Sequence, residues 1–214
     1  MNNNTITTWG LLIVGGFAIG GIMFSYILPR LIMKKDICAL SNDNNPGAAN
    51  VFKNCGVPMG LCCLMLDMAK GFLPVYLATR LANYNNLLFA PVMIAPVLGH
   101  AIAPFNRFHG GKCIATIFGE MLALFRIAPV GFIALALLYI LFSTLFRISP
   151  HSKRSIVTFL LFGNISFIIL VLSKKYSIAV GCLAVSFIAI RKHGGAAEIF
   201  PVWKEQRAED KWAL

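Results

Sequence analysis

Long apolar stretches fill most of this chain, and few charged residues interrupt them. Of its 214 residues, 58% are hydrophobic and 13% are charged, whereas globular chains carry about 25% charged residues. An apolar run of roughly 17–25 residues can cross the hydrocarbon core of a bilayer as a helix. The sequence therefore predicts an all-α polytopic membrane protein with no room for a separate soluble domain.

Seven apolar segments can be drawn, and the fourth is too short for an ordinary span at about 1.5 Å of helical rise per residue. Pro129 helps to mark the end of that short segment, because proline is tolerated early in a helix but not inside one. We expect residues 1–190 to form one transmembrane domain and residues 191–214 a cytoplasmic tail. The segments are 9–29, 57–79, 87–105, 113–125, 128–146, 155–172 and 176–190.

The distribution of lysine and arginine favours a topology in which all seven segments cross. With the N-terminus outside, 14 basic residues fall on the cytoplasmic side and 4 on the other, while Lys70 lies within a span. If the short segment does not cross, the count becomes 9 against 9. Because cytoplasmic loops carry the excess of positive charge, we expect the C-terminus and the loops 30–56 and 106–112 in the cytoplasm. The net charge of +11 then requires no nucleic-acid partner.

The sequence shows no metal-binding motif and no motif for the serine or cysteine nucleophile of a hydrolase. None of the six cysteines forms a CxxC pair, and no group of His, Cys and carboxylate residues has metal-ligand spacing. A GxSxG motif is also absent from the sequence. We therefore expect neither a metal nor a cofactor.

An asparagine-rich loop, SNDNNPGAAN at 41–50, follows the first apolar segment. Asn and Asp side chains bond to their own backbone and favour turns, which leaves backbone amides free to point at an anion. A simple turn after a helix is an equally reasonable interpretation of such a composition. The density of four asparagines and one aspartate in ten residues favours an anion-binding loop.

A glycine-lysine loop, FHGGKC at 108–113, precedes the short fourth segment. Glycines let the backbone approach an oxyanion closely, a helix N-terminus presents free N–H groups, and Lys112 adds a positive charge. The loop is not a Walker A motif, because Asn106 stands in place of the first glycine and Cys113 in place of the magnesium-binding Ser or Thr. Both loops fall on the cytoplasmic side of the predicted topology, where they could hold a phosphate on a lipid precursor.

Charged residues within the apolar segments are further candidates. Asp67 and Lys70 are three residues apart, so they share one helical face and can pair. Each would cost about 2.5–3.5 kcal/mol at the centre of a bilayer, so a structural ion pair and a substrate-binding role are both open. Glu120 raises the same question. His100 lies near a helix end, where a hydrogen-bonding role is commoner than that of a base.

Four segments form a set that covers most of residues 20–120: SYILPRL at 25–31, NPGAANVF at 45–52, LDMAKGFLPV at 66–75 and GHAIAPFNRFHGGKCIAT at 99–116. In their order and spacing they resemble the acyl-phosphate:glycerol-3-phosphate acyltransferase family of the PlsY type. Beyond residue 120 the similarity rests on hydropathy alone.

The resemblance implies a seven-span enzyme of the cell membrane whose active site faces the cytoplasm. It implies acyl transfer from acyl phosphate to the 1-hydroxyl of glycerol 3-phosphate, giving lysophosphatidic acid and phosphate without metal or acyl-CoA. The candidate catalytic residues are Lys112, Asn45, Asn50 and His100. The candidate substrate-binding residues are Asp43, Gly47, Lys70, Gly110, Gly111, Thr116 and His193.

The sequence also departs from the family pattern. Asp43 stands where the family's GSGN has serine, Ala49 where GATN has threonine, and Gly21 where a serine is usual. In the C-terminal His-Arg-Glu-Asn-like segment, Gly195 and Ala196 stand in place of Glu and Asn. Beside an anionic substrate, Asp43 is expected to pair with a lysine or arginine or to bind acceptor hydroxyls. The chain is thus identified as a divergent member.

Two other functions compete with acyl transfer. A small transporter or channel would use Asp67, Lys70 and Glu120 along a polar path, and would move a substrate across sealed vesicles. A catalytically weakened relative would only bind a phosphorylated lipid precursor. Formation of lysophosphatidic acid from acyl phosphate and glycerol 3-phosphate distinguishes all three.

Overall fold

A computed structural model describes residues 3–194 of the chain. This part folds into ten α-helices and a 3-10 turn (Pro104–Asn106), with no β-strand among the described residues. The helices are α1 (Asn3–Gly20), α2 (Phe24–Met33), α3 (Ile37–Leu40), α4 (Ala48–Cys55), α5 (Val57–Leu81), α6 (Phe89–Ile102), α7 (Ile114–Ala123), α8 (Pro129–Thr144), α9 (His151–Leu172) and α10 (Tyr176–His193).

The lengths and compositions of these helices fit an integral membrane protein. Three helical stretches are long and apolar enough to cross a bilayer: α5, α6 together with the 3-10 turn, and α9. A fourth is reached if α1 and α2 are taken as one bent span, and α7 and α8 are shorter apolar helices. The short fourth segment is confirmed as a ten-residue helix, α7. Helix α10 runs on to His193, past the domain boundary predicted at residue 190.

The first predicted segment, 9–29, is not one continuous helix. Helix α1 ends at Gly20, α2 begins at Phe24, and the two are bent by 42°. A break inside a membrane leaves backbone carbonyls that need new donors. The buried Lys70 ammonium supplies one of these donors, because it donates to the carbonyl oxygen of Ile22 at 2.6 Å.

Glycines fix the contact between α5 and α7. A Cβ atom on Gly71 of α5 would overlap the carbonyl oxygen of Thr116, and a Cβ atom on Gly119 of α7 would overlap that of Met68. Each helix therefore presents a glycine to the backbone of the other, which is how small residues let membrane helices approach closely. This contact fixes α7, and with it the end of the glycine-lysine loop, against α5.

The asparagine-rich loop is anchored by two short helices rather than left as a free linker. Asp36 caps α3 by accepting from the backbone amides of Cys38 and Ala39 at 2.9 and 3.2 Å, as N-cap residues do. Ile37 of α3 and Val51 of α4 pack with Cys63 of α5 in a buried apolar cluster. Residues 41–47 thus connect α3 and α4, which are both fixed to the bundle.

A second apolar core holds α9 and α10 in place. Helix α10 packs against both α9 and α6. The buried side chains of this core include Phe159 and Phe162 of α9, whose rings meet edge to face. Such ring pairs add stability beyond their buried area. They fix the first turn of α9 relative to the last turn of α10, where His151 and His193 lie.

Candidate functional site

The two loops singled out in the sequence meet in space. The Lys112 ammonium of the glycine-lysine loop donates to the Asp43 carboxylate of the asparagine-rich loop, at 2.7 Å between Nζ and Oδ2. The side chain of Lys112 is 24% exposed and that of Asp43 is 44% exposed. Residues 69 positions apart therefore form one side of a single polar site that is open to solvent. The pairing of Asp43 with a lysine, one of the two expectations for this residue, is observed.

Asn50 ties the Asp43 carboxylate to the rest of its loop. Its amide nitrogen donates to Asp43 Oδ1 at 2.9 Å and to the backbone carbonyl of Asn45 at 2.8 Å. The Asp43 carboxylate thus receives one donor on each oxygen. The side chain of Asn45 lies against Gly47, where an added Cβ atom would come within 2.7 Å of its amide nitrogen. Asn45, Gly47 and Asn50 therefore form one compact unit around the carboxylate.

These contacts lower the pKa of Asp43. Partial burial acts to raise the pKa, since it disfavours the charged form. The hydrogen bonds from Lys112 and Asn50, together with the positive charge of Lys112, outweigh that effect and hold the pKa below its ordinary value. The carboxylate is therefore ionised at neutral pH.

The glycines of the second loop are required by close approach to neighbouring backbone and side chains. An added Cβ atom on Gly111 would overlap the imidazole Nε2 of His100, and one on Gly110 would overlap the carbonyl oxygen of Ala101. The backbone of Gly111 is further held by its amide, which donates to the carbonyl of His100 at 3.1 Å. The buried His100 therefore lies behind the loop and shapes it. That His100 takes part in proton transfer stays a prediction.

Two residues of this loop have a left-handed backbone, and neither is a glycine: Phe108, with φ 61°, and Cys113. Cys113 has φ 66° and directly precedes α7, while the two glycines before it need no positive φ. The first amides of α7 have no carbonyl one turn earlier, so they are available to an anion. Thr116 lies in this first turn, and its buried hydroxyl has no hydrogen-bond partner within residues 3–194. The sequence did not predict that a non-glycine residue would make the turn.

Two histidines, one predicted and one not, complete the site. The His193 ring stacks on that of His151, with centroids 6.2 Å apart and planes 22° apart. The charges of Lys112 and Asp43 act on both rings. The sequence predicted His193 as a substrate-binding residue but did not single out His151. No pattern could have revealed His151, because it lies 42 residues from its ring partner.

The tautomer of His193 follows from its one hydrogen bond. Its Nδ1 lies 2.8 Å from the carbonyl oxygen of Ala189. Because a carbonyl oxygen can only accept, Nδ1 carries a hydrogen, and Nε2 of the neutral ring is an acceptor. Nε2 is buried without a partner among the described residues, so it is available to accept a hydrogen bond from a substrate hydroxyl.

The charged residues within the apolar helices lie behind the site. Lys70 pairs with Asp67 at 3.0 Å between Nζ and Oδ1, and Ser25 donates to the same carboxylate. The ion-pair interpretation is therefore observed, and direct substrate binding by Lys70 stays a prediction. Glu120 of α7 is fully buried, and neither carboxylate oxygen has a hydrogen-bond partner in the described part of the chain.

The arrangement is suited to binding oxyanions. The Lys112 ammonium and the Asn50 side-chain amide meet at the Asp43 carboxylate, and α7 begins two residues after Lys112. Charge-assisted hydrogen bonds of this kind are the strongest available to a phosphate. Within residues 3–194, no group of three His, Cys, Asp or Glu side chains could hold a metal ion. Gly195 and Ala196, which mark the departure from the family's C-terminal motif, lie outside the described residues, as does the tail after them.

A family model described as glycerol-3-phosphate acyltransferase matches residues 10–200. The chain belongs to this family. The match extends the resemblance well beyond residue 120, over α8, α9 and α10, where the sequence offered only hydropathy.

Curated relatives agree with this assignment. The glycerol-3-phosphate acyltransferase of Thermotoga petrophila is 37% identical over 116 residues, which are 54% of this chain and 58% of that protein. The enzyme of the same name from Photobacterium profundum is 31% identical over 191 residues, 89% of this chain and 88% of its own length. The first match thus spans little more than half of the relative, whereas the second spans nearly all of it.

Two crystal structures of PlsY, an integral membrane glycerol 3-phosphate acyltransferase, share the fold. The glycerol 3-phosphate form has a TM-score of 0.74 at 23% identity and covers 87% of this chain and 88% of its own. The lysophosphatidic acid form has a TM-score of 0.71 at 21% identity and covers 96% and 93%. At these identities the likeness establishes the helical architecture of the family.

Proposed function

We propose that this family member is a membrane acyltransferase that moves a fatty acyl group from acyl phosphate to glycerol 3-phosphate. The observation that carries the proposal is the junction of Lys112 with the Asn45–Asn50 loop at one solvent-open site. Both substrates bear a phosphate, and this junction gathers the cation and the amide donors that a phosphate needs. The names of the relatives support the choice of glycerol 3-phosphate as acceptor.

The reaction places modest demands on the protein. The acceptor hydroxyl attacks the acyl carbonyl carbon, a C–O ester bond forms, the C–O bond to phosphate breaks, and the hydroxyl proton leaves with the phosphate. Since phosphate is a good leaving group, no enzyme nucleophile is required. Catalysis is then mostly orientation and stabilisation of charge that develops on the carbonyl oxygen and the departing phosphate.

Each site residue has a role in this scheme. Lys112 and the first amides of α7 balance the phosphate charge, and Gly110 and Gly111 let the loop approach it. Asn45 and Asn50 orient the acceptor. Nε2 of His193 accepts from the acceptor hydroxyl and aligns its oxygen for attack. His100 and Thr116 support the loop from behind.

We further propose the membrane arrangement that the basic residues predict. Seven segments cross the cell membrane, with α1 and α2 as one bent span, the N-terminus outside and the site in the cytoplasm. A site at the cytoplasmic surface suits water-soluble glycerol 3-phosphate, while the apolar helices suit a fatty acyl chain. Cysteine labelling from either side of sealed vesicles, at positions 44 and 85, tests this topology: position 44 should react only from the cytoplasmic side.

Purified protein supplied with acyl phosphate and glycerol 3-phosphate tests the function. Lysophosphatidic acid and inorganic phosphate should appear in equal amounts. Release of phosphate and free fatty acid without lysophosphatidic acid would contradict acyl transfer to this acceptor. Flux of glycerol 3-phosphate into sealed vesicles without product would instead favour a transporter, although Asp67 and Lys70 already pair with each other rather than line a path.

A phosphate binder with weakened catalysis is the second candidate, and one observation favours it. The Asp43 carboxylate accepts the hydrogen bonds of Lys112 and Asn50, so one of the chain's own anions is bound to the groups that a phosphate would need. Binding of glycerol 3-phosphate with no transfer from acyl phosphate would support this candidate.

A further inference from the structure

The Asp43 carboxylate lies where the proposed function requires a phosphate oxygen. It is an oxyanion, and it accepts from the Lys112 ammonium at 2.7 Å and from the Asn50 amide at 2.9 Å. Those are the distances expected of charge-assisted hydrogen bonds to an anionic ligand. The chain therefore supplies its own anion to two of the groups that would bind the substrate.

The Asp43 side chain can move away from Lys112 into solvent. Asp43 is 44% exposed and lies in the non-helical segment between the anchored helices α3 and α4. A half-exposed ion pair is weak, because water competes for both partners. A ligand can therefore displace the carboxylate into solvent without unfolding either helix.

The exchange depends on ligand charge. A phosphate monoester carries about −1.5 to −2 charges at neutral pH, whereas a carboxylate carries one. A dianion thus gains more from Lys112 than Asp43 loses, but a monoanion only replaces one single charge with another. Breaking the contact between Asp43 and Lys112 costs the same whichever anion enters, so the contact weakens the binding of every anion by the same factor. A dianion, which gains more from Lys112, keeps a usable affinity against that cost.

We propose that Asp43 is an internal competitor that a phosphate must displace to enter this site, so that Asp43 lowers the affinity of the site for anions. The inference rests on the proposed role of Lys112 in phosphate binding. It assigns to Asp43 an affinity-setting role: the residue does not hold the substrate but must be displaced by it.

The test compares Asp43→Asn with a matched control, Asp36→Asn, in detergent-purified full-length protein. Both changes remove one negative charge at constant size from the same predicted cytoplasmic loop, and asparagine at 36 can still cap α3. Affinities for inorganic phosphate and for dimethyl phosphate, a monoanion, are measured by titration calorimetry. We expect Asp43→Asn to bind phosphate about five- to tenfold more tightly. It should bind dimethyl phosphate more tightly by a similar factor, because both ligands must break the same contact, and a gain for only one of the two anions would overturn the inference.

Several results would overturn the inference. These are unchanged or weaker phosphate binding by Asp43→Asn, the same gain in Asp36→Asn, or no phosphate binding by any variant. Asp43→Ser serves as a second variant, and it should behave like Asp43→Asn if charge rather than the amide group matters.

Acyl transfer by the same proteins separates this inference from the proposed function. If no protein makes lysophosphatidic acid but Asp43→Asn still gains phosphate affinity, the proposed function fails and the inference stands. If transfer occurs and Asp43→Asn leaves both KM for glycerol 3-phosphate and phosphate affinity unchanged, the inference fails and the function stands.

Discussion

Lys70 donates a hydrogen bond to the carbonyl oxygen of Ile22 and so joins the middle of α5 to the break between α1 and α2. The same ammonium pairs with Asp67, which in turn accepts from Ser25 of α2. One buried pair of charges therefore satisfies a carbonyl within the break and a hydroxyl of α2. Removal of either charge leaves the other buried without its opposite charge, which is costly.

We therefore expect Lys70→Met to destabilise the protein by about 3–5 kcal/mol. The measurement is thermal unfolding in detergent, followed by the loss of helical circular dichroism. The double variant Lys70→Met with Asp67→Leu should recover part of the loss, because no unpaired charge remains. Equal stability of wild type and Lys70→Met would show that the pair does not hold the break.

Lys112→Ala should lower kcat for acyl transfer by about 10²–10³-fold, the effect of losing one donor to developing negative charge. The expected cause is loss of charge compensation at the phosphate, so the folded fraction should be unchanged. Lys53→Ala is the control, since Lys53 is exposed on the adjacent helix α4. Near-normal turnover by Lys112→Ala would remove the proposed phosphate role.

Gly111→Ala should displace the loop, because the new Cβ atom would overlap the His100 ring. We expect about a 10²-fold loss of kcat/KM, as for other small misplacements of a catalytic group. The double variant Gly111→Ala with His100→Ala removes the ring that causes the overlap. It should be more active than the sum of the single effects predicts. Additive losses would show that the two residues do not act through this contact.

The pKa of Asp43 gives a stability prediction with a definite sign. Its folded pKa lies below the ordinary value of 3.8, so its contribution to stability is present above about pH 3.8 and is lost as pH falls through the folded pKa. Wild type should therefore be more stable than Asp43→Asn at pH 5–7, and the difference should shrink below pH 3.8. Denaturant unfolding across this range measures it. A difference that appears only above pH 6 would implicate the neighbouring imidazoles of His151 and His193 instead.

The loops of the site could be predicted from sequence because their chemistry is local. Asparagine density and a glycine-lysine run depend on adjacent residues, and both loops lie where the site forms. Pairing of Asp43 with a cation was one of two expectations, and it followed from the place of this anionic residue in a loop that resembles the family's substrate loop. The assignment to an acyltransferase family, made on residues 20–120, is confirmed by the match over residues 10–200.

Other features depend on contacts that a hydropathy pattern does not contain. Residues 21–23 are as apolar as the helices on either side, so the hydropathy pattern does not show the break between α1 and α2. The local signal is the Gly20-Gly21 pair at the end of α1, which the sequence analysis did not use. The stacking of His151 on His193 requires α9 and α10 to be packed in a particular register. The left-handed turn at Cys113 ran against the preference for glycine at such positions.

The reciprocal glycine contact between α5 and α7 also limits how a lipid could reach the site. With the backbones of Gly71 and Gly119 each against the opposite helix, this seam is too tight to admit a methylene chain. Under the proposed function, the hydrocarbon tail of the acyl donor must therefore enter between a different pair of helices, and its path is to be sought away from this seam.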